Sequence, residues 1–151
     1  MASDQENLAR AVSELQVLER AMSELQSRIA TLQAVLGEYD GAISLLEELQ
    51  KQKSEVKMLV PIGGGNFLQA EIKEVEAVQV SLGAGIVMKQ PIQEGYELIK
   101  KRREQISRII EQYQNTLIQY AQRAEELRRL VEALSARIRA QMQQKQEAEK
   151  R

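Results

Sequence analysis

Two long heptad arms on either side of a short segment of alternating polarity predict a mainly helical α+β fold. We expect a long antiparallel two-helix coiled coil with two β-hairpins at the end where its helices connect. Both prolines and six of the eight glycines lie between Pro61 and Gly95, which separates the middle from the arms. The single subunit is therefore divided into an N-terminal coiled-coil helix over 4–52, hairpins over 56–90, a C-terminal coiled-coil helix over 92–142 and a polar tail over 143–151.

The first arm keeps a heptad register over twelve consecutive seam positions, spaced alternately by three and four residues. These positions are Leu8, Ala11, Leu15, Leu18, Met22, Leu25, Ile29, Leu32, Leu36, Tyr39, Ile43 and Leu46. Ser3 and Glu6 have the spacing of a capping box, which predicts a helix start there. Gly37 and Gly41 interrupt the helix formers at a cost of about 1 kcal/mol each. We interpret them as sites of close packing or local softness.

The second arm repeats the register, with one charged residue, Arg103, on its seam. The positions are Tyr96, Ile99, Arg103, Ile106, Ile110, Tyr113, Leu117, Tyr120, Ala124, Leu127, Val131, Leu134 and Ile138. Arms of similar length joined by a compact middle favour pairing within one chain. If Leu46 faces Tyr96, then Leu8 lies near Leu134, and Tyr39 lies near Arg103 in a cation–π contact. Pairing of each arm with another chain is the alternative that periodicity leaves open.

The middle segment changes from a helical period to a period of two, which indicates short strands. Met58, Val60 and Ile62 alternate with their neighbours, and similar runs follow up to Met88. Gly63-Gly64-Gly65 and Gly83-Ala84-Gly85 supply the turns of two hairpins. Two isolated hairpins cannot close a core, and their open edges require partners. We therefore expect the middle segment to dock with strands of other subunits.

The composition excludes several kinds of chemistry. The chain has no Cys and no His, so it offers no thiol nucleophile, no imidazole base and no zinc finger. A net charge of −1 and an aromatic content of 3% argue against a nucleic-acid binder. We expect no enzyme activity, no cofactor and no bound metal.

The sequence also lacks clear signals for a membrane span, a signal peptide, a phosphate loop or a nucleic-acid contact. No apolar run is long enough for a membrane span, and the polar, acidic start is unlike a signal peptide, so we expect a cytoplasmic protein. Gly63-Gly64-Gly65 lacks the Gly-Lys-Ser/Thr that completes a phosphate loop. The basic run Lys100-Lys101-Arg102-Arg103 wraps around a helix, and we interpret it as solvated surface rather than a nucleic-acid signal.

The middle segment resembles the alpha class of prefoldin subunits. Leu59-Val60-Pro61-Ile62-Gly63-Gly64-Gly65-Asn66-Phe67-Leu68 is similar to the first hairpin of that class. Val80-Ser81-Leu82-Gly83-Ala84-Gly85-Ile86 is similar to the second. Both hairpins lie between two heptad arms, so the resemblance covers nearly the whole chain. The beta class carries one hairpin. The start of the second helix, Pro91 to Gly95, departs from the stronger helix openings common in the family.

The resemblance implies an ATP-independent chaperone that acts in a heterohexamer of two alpha and four beta prefoldin subunits. The hairpins of the family join an inter-subunit β-barrel, and the coiled-coil tips hold non-native polypeptides for a group II chaperonin. The apolar hairpin residues expected to support oligomerisation are Val60, Ile62, Phe67, Leu68, Ile72, Val78, Val80, Leu82 and Ile86. The alternative is a structural scaffold, like the filament-forming prefoldin-like chains of the gamma type.

The candidates for client binding are apolar residues near the free ends of the two arms. They are Leu8, Val12, Leu15, Leu130, Leu134, Ile138 and Met142. Val12 and Leu130 lie off the heptad seam, and Met142 can adapt to irregular partners. Unfolded chains expose apolar side chains, for which an exposed apolar patch is the complementary surface. The competing interpretation is that these residues form ordinary coil core and fraying ends.

Overall fold

In a computed structural model, the chain forms two long helices separated by four strands. The structure describes residues 3–52, 55–73 and 75–149. In chain order the elements are α1 (Asp4–Lys51), β1 (Val56–Gly63), β2 (Asn66–Ile72), β3 (Ala77–Gly83), β4 (Ile86–Pro91) and α2 (Ile92–Glu149). The predicted, predominantly helical α+β fold is confirmed. Helix α2 continues to Glu149, through most of the segment that the sequence assigns to a polar tail.

Helix α1 begins with the capping box that its sequence predicts. The backbone N–H of Glu6 donates to Ser3 Oγ at 3.2 Å, and the backbone N–H of Ser3 donates to Glu6 Oε2 at 3.0 Å. Two donors that the helix cannot satisfy internally are thereby paired, and two acidic side chains lie at the positive end of the helix dipole. The start of the helix is thus determined by local sequence.

The chain divides into two compact units. One contains Met1–Thr31 and Ile110–Arg151, and we call its described part the end unit. The other contains Leu32–Ile109, and we call its described part the hairpin unit. Each unit contains a part of both helices.

In the end unit, the two helix segments run antiparallel around a narrow apolar seam. Ala11, Ala124 and Leu127 are buried, and Leu127 is only 2% exposed. Arg123 pairs with Glu14 at 2.9 Å, and Arg128 pairs with Glu19 at 3.0 Å. Each of these four charged residues immediately precedes or follows a seam residue, so the ion pairs flank the seam, as they do in coiled coils.

In the hairpin unit, the antiparallel register lies one residue from the predicted one. Tyr96 donates to Glu47 at 2.9 Å, next to the predicted partner Leu46. The predicted cation–π contact of Arg103 with Tyr39 is wrong. Arg103 Nε instead donates to Asp40 Oδ1 at 2.8 Å, because a carboxylate one residue further along α1 offers a charged hydrogen bond.

Of the two interpretations of Gly37 and Gly41, close packing is wrong within the described chain, and local softness stays a prediction. No atom outside the local helix backbone and the chain neighbours lies within 4 Å of a Cβ built at either position. Space is therefore available for a side chain, and the cost of each glycine to the helix has no packing benefit to offset it.

The four strands form two separate antiparallel hairpins with the same turn geometry. Strand β1 pairs with β2, and β3 pairs with β4. Both have a two-residue loop preceded by a register shift, between Pro61 and Gly63 in the first and between Ser81 and Gly83 in the second. Positive φ angles at both loop residues are typical of the mirror-image turns that join twisted strands. Gly64 has a φ of 60°, and Ala84 has a φ of 50° without being a glycine.

The second hairpin packs on the first turns of helix α2. Val80 of β3 is 3% exposed, and a Cβ added to Gly95 of α2 would lie 3.3 Å from its Cγ2 atom. The backbone N–H of Ile92 donates to the carbonyl of Glu76 at 2.9 Å. Arg102 donates to the carbonyl of Ser81. Apolar contact and hydrogen bonds together hold this hairpin on the helix.

Candidate binding surfaces

The seven residues predicted to bind clients all lie in the end unit, with different exposure. Val12, Leu130 and Met142 are exposed, at 36%, 46% and 53%. Leu134 is buried within the seam. The remaining three are half-buried, namely Leu8, Leu15 and Ile138. The buried position belongs to the core of the coil, so the exposed and half-buried residues are the ones available at the surface of the single chain.

A shallow groove of about 540 Å³ brings three of these predicted residues together. Leu8 and Val12 line it from α1, and Ile138 lines it from α2. Leu15, Leu130, Leu134 and Met142 do not contribute to its lining. The pattern analysis missed the other lining residues, which are Gln5, Ala9, Ser13 and Gln16. Helical periodicity could have identified these four residues, because they share one face of α1 with Leu8 and Val12.

Two charged residues of the end unit, Asp4 and Arg123, have partners within that unit. Asp4 lies 3.7 Å from Arg137 and accepts a hydrogen bond from Gln141 at 3.4 Å. Arg123 interacts with both Glu14 and Glu126, and these hydrogen bonds raise the pKa of the guanidinium. The cation is therefore held in its charged form at any ordinary pH.

The hairpins present a second apolar surface. Of the nine predicted oligomerisation residues, six are exposed, namely Val60, Ile62, Phe67, Leu68, Leu82 and Ile86. Ile72 and Val78 are half-buried, and Val80 is buried against α2 in the single chain. Exposed apolar side chains of this number are typical of a surface that a partner covers.

Three further apolar residues of the hairpins are exposed but were not among the nine. They are Leu59, Val87 and Met88. Leu59 is paired with Gln69 and Val60 is paired with Leu68, so these neighbours lie on opposite faces of the hairpin. The signal in the sequence was the unbroken apolar run Leu59-Val60-Pro61-Ile62, which departs from strict alternation.

The two arginines of the basic run in α2 have partners within the hairpin unit. Arg102 donates to Ser81, Arg103 pairs with Asp40, and Lys100 Nζ lies 5.8 Å from the centroid of the Tyr96 ring. Arg102 and Arg103 therefore have partners within the unit, whereas Lys100 and Lys101 are exposed.

A wider recess in the hairpin unit lies where the helices meet the strands. Its lining mixes amides and both signs of charge, including Gln50, Lys73, Glu76 and Gln93. Gln50 donates to Gln93 at 3.0 Å. Among residues 3–52, 55–73 and 75–149, no group of three or more His, Cys, Asp or Glu side chains is arranged to hold a metal ion. Neither helix, over its described length, has a stretch apolar enough to cross a membrane.

Comparison with known proteins shows which family this chain resembles. The family model "Prefoldin subunit" matches residues 18–137, which covers both arms and both hairpins. The chain belongs to the prefoldin family. A "Prefoldin subunit alpha" from Thermofilum pendens is 32% identical over 127 residues, covering 84% of this chain and 96% of the relative. One of the same name from Methanosarcina barkeri is 32% identical, covering 78% and 84%.

The predicted resemblance to prefoldin alpha subunits is therefore confirmed, and with it a chaperone-type role. A cryo-EM structure of a filamentous PFD from Methanocaldococcus jannaschii has the same fold, with a TM-score of 0.63 and 16% sequence identity. The match covers 76% of this chain and 95% of that chain. At this identity the likeness concerns the fold alone.

Proposed function

We propose that this chain is a subunit of an ATP-independent holdase chaperone. In this proposal the end unit binds non-native polypeptides, and the hairpins join the chain to other subunits. The observation that carries the proposal is the groove formed by Leu8, Val12 and Ile138. Its apolar lining suits the side chains that a native protein would bury. Binding by several subunits at once would give useful avidity from weak individual contacts.

The proposed partners on the hairpin side are prefoldin beta subunits, in a heterohexamer of two alpha and four beta chains. The exposed hairpin residues support this assembly, as do the open strand edges of the two hairpins. We propose that the complex works in the cytoplasm, catalyses no bond chemistry and passes its clients to a group II chaperonin.

The test of client binding is the substitution of the groove residues, Leu8→Ser, Val12→Ser and Ile138→Ser together. The matched control is Val17→Ser, because Val17 is on the same helix and is exposed but does not line the groove. Light scattering of a chemically denatured client, diluted into the assembled complex without ATP, reports the holdase activity. We expect the triple variant to lose most of the suppression of aggregation and the control to keep it. Equal suppression by both would refute the groove as the client site.

Assembly is tested separately, by substitutions in the first hairpin. Phe67→Ser and Leu68→Ser remove exposed apolar area from the first hairpin without touching the end unit. Light scattering coupled to size-exclusion chromatography, with a beta-class partner present, should show smaller species. Transfer of a fluorescent client from the complex to a group II chaperonin tests the delivery step.

A filament-forming scaffold is the second candidate function. It is favoured by the open edges of both hairpins, which allow end-to-end addition of further copies. Electron microscopy of the chain alone separates the two candidates. Long fibres formed without a beta-class partner support the scaffold, whereas a closed complex formed only with that partner supports the chaperone.

A further inference from the structure

We propose that the groove of the end unit binds an uncharged apolar segment about five residues long in an extended conformation, and that Gln5, Ser13 and Gln16 bond its backbone. This inference rests on the proposed client-holding function and adds a substrate class to it. This mode of binding differs from a purely hydrophobic contact, because part of the recognition is assigned to the peptide backbone that every client shares.

The length follows from the helix that forms the groove. Gln5, Ala9, Val12 and Gln16 are spaced by four, three and four residues, so they form one stripe along α1. From Gln5 to Gln16 the stripe rises about 16 Å at about 1.5 Å per residue. An extended chain advances about 3.3 Å per residue, so the stripe accommodates about five residues.

The polar residues of the lining are available for a ligand. Gln5, Ser13 and Gln16 are exposed, and their side chains make no hydrogen bond to the described part of the chain. A glutamine amide both donates and accepts, and so does a serine hydroxyl. An extended peptide presents N–H and C=O groups along its edge, so its backbone is complementary to these three side chains.

The absence of charge in the lining defines the class of occupant. None of the seven lining residues is charged, and Val12 lies between the two glutamines along α1. Glu19 lies one turn beyond Gln16, where Arg128 already neutralises it at 3.0 Å. A charged client side chain placed in the groove would lose hydration, and no lining residue offers it an ionic partner, which is costly. An uncharged apolar segment has no such penalty.

The test uses labelled peptides and the assembled complex. The plain peptide has five alternating leucines and valines between glycine–serine ends. A second peptide has the same side chains with N-methylated backbone amides at alternate positions, and a third has a lysine at the centre. Fluorescence anisotropy gives each Kd. We expect both altered peptides to bind about tenfold more weakly, because they lose backbone hydrogen bonds or bury an unpaired charge.

Variants connect the effect to the named side chains. With Gln5→Leu, Ser13→Ala and Gln16→Leu together, the plain and N-methylated peptides should bind equally, since the bonds that distinguish them are gone. Gln26→Leu, an exposed position on α1 outside the groove, should keep the difference. Equal binding of the plain and N-methylated peptides to the unaltered complex would overturn this inference and leave the holdase proposal standing. No binding of any peptide, together with no suppression of client aggregation, would overturn both.

Discussion

Gly95 of α2 approaches Val78 of β3 so closely that a Cβ on the glycine would overlap the Cγ1 atom of the valine. The same Cβ would lie 3.3 Å from Cγ2 of the buried Val80. The second hairpin can therefore pack directly on the helix because Gly95 has no side chain. Glycine usually destabilises a helix, but at this position it allows β3 to pack against α2.

We predict that Gly95→Ala destabilises the protein. Overpacking of this kind costs about 1–3 kcal/mol, which outweighs the gain of about 1 kcal/mol in helix propensity. Urea unfolding followed by circular dichroism measures the change in the free energy of unfolding. A Gly95→Ala variant as stable as the original chain would mean that β3 does not pack on α2 in solution. Restoration of stability by an added Val78→Ala would confirm the named contact.

Gly37→Ala and Gly41→Ala should have the opposite effect. A Cβ at either position meets no atom within 4 Å, and alanine is favoured over glycine in a helix by about 1 kcal/mol. Each substitution should raise the free energy of unfolding by about that amount, as measured by thermal and urea denaturation of the isolated chain. Destabilisation by either change would show that the local helix needs its glycine for a reason outside this packing.

A reciprocal exchange in the two turns tests the role of positive φ. Ala84 has a φ of 50°, a conformation that disfavours a Cβ, and Gly64 occupies the equivalent position with a φ of 60°. Ala84→Gly should stabilise the second hairpin by about 0.5–1 kcal/mol after the entropy of the unfolded chain is counted. Gly64→Ala should destabilise the first hairpin by a similar amount, and more if the nearby Asn66 side chain cannot move. Melting temperatures of the assembled complex report both changes, and shifts of the same sign would contradict the prediction.

The hydrogen bond from Tyr96 to Glu47 should make stability depend on alkaline pH. This bond raises the pKa of the phenol, and burial and the charge of Glu47 add to the effect. Because the folded pKa is above the unfolded value of about 10, the contribution is fully present below that pH. It is lost as the pH rises through the raised folded pKa.

Unfolding in urea at about pH 9 and about pH 11 measures this loss. Tyr96→Phe removes the donor, so the variant should be less stable at the lower pH and should decline less between the two. The matched control is Tyr113→Phe, another seam tyrosine, which should keep the decline of the original chain. The same decline in the Tyr96→Phe variant would assign the pH dependence to other groups.

Most of the fold could be predicted from the sequence because its determinants are local or periodic. The capping box of Ser3 and Glu6 positions the start of α1 through bonds between residues three apart. The seam residues repeat at heptad spacing, and the glycines at 63–65 adopt the positive φ angles that their turn requires. Each of these signals depends on neighbours in the chain, so no knowledge of distant packing was needed.

The register between the helices was less predictable. Seam positions alone cannot distinguish a pairing from one shifted by a residue, because apolar contacts tolerate such a shift. The bonds of Arg103 to Asp40 and of Tyr96 to Glu47 select one arrangement, since directional hydrogen bonds tolerate less displacement.

The candidate site needed three-dimensional information for a similar reason. Heptad spacing identified Leu8 and Ile138 as ends of a seam, and their residue types suggested a hydrophobic surface. The contribution of Gln5 and Gln16 appeared once the helices were packed, because a groove depends on which side chains of two segments converge. Periodicity along the chain thus settled the elements and their apolar faces. Packing across the chain determined which of those side chains are exposed in the single chain, and it buried Val80 and Leu134, both of which the sequence analysis had proposed as contact residues.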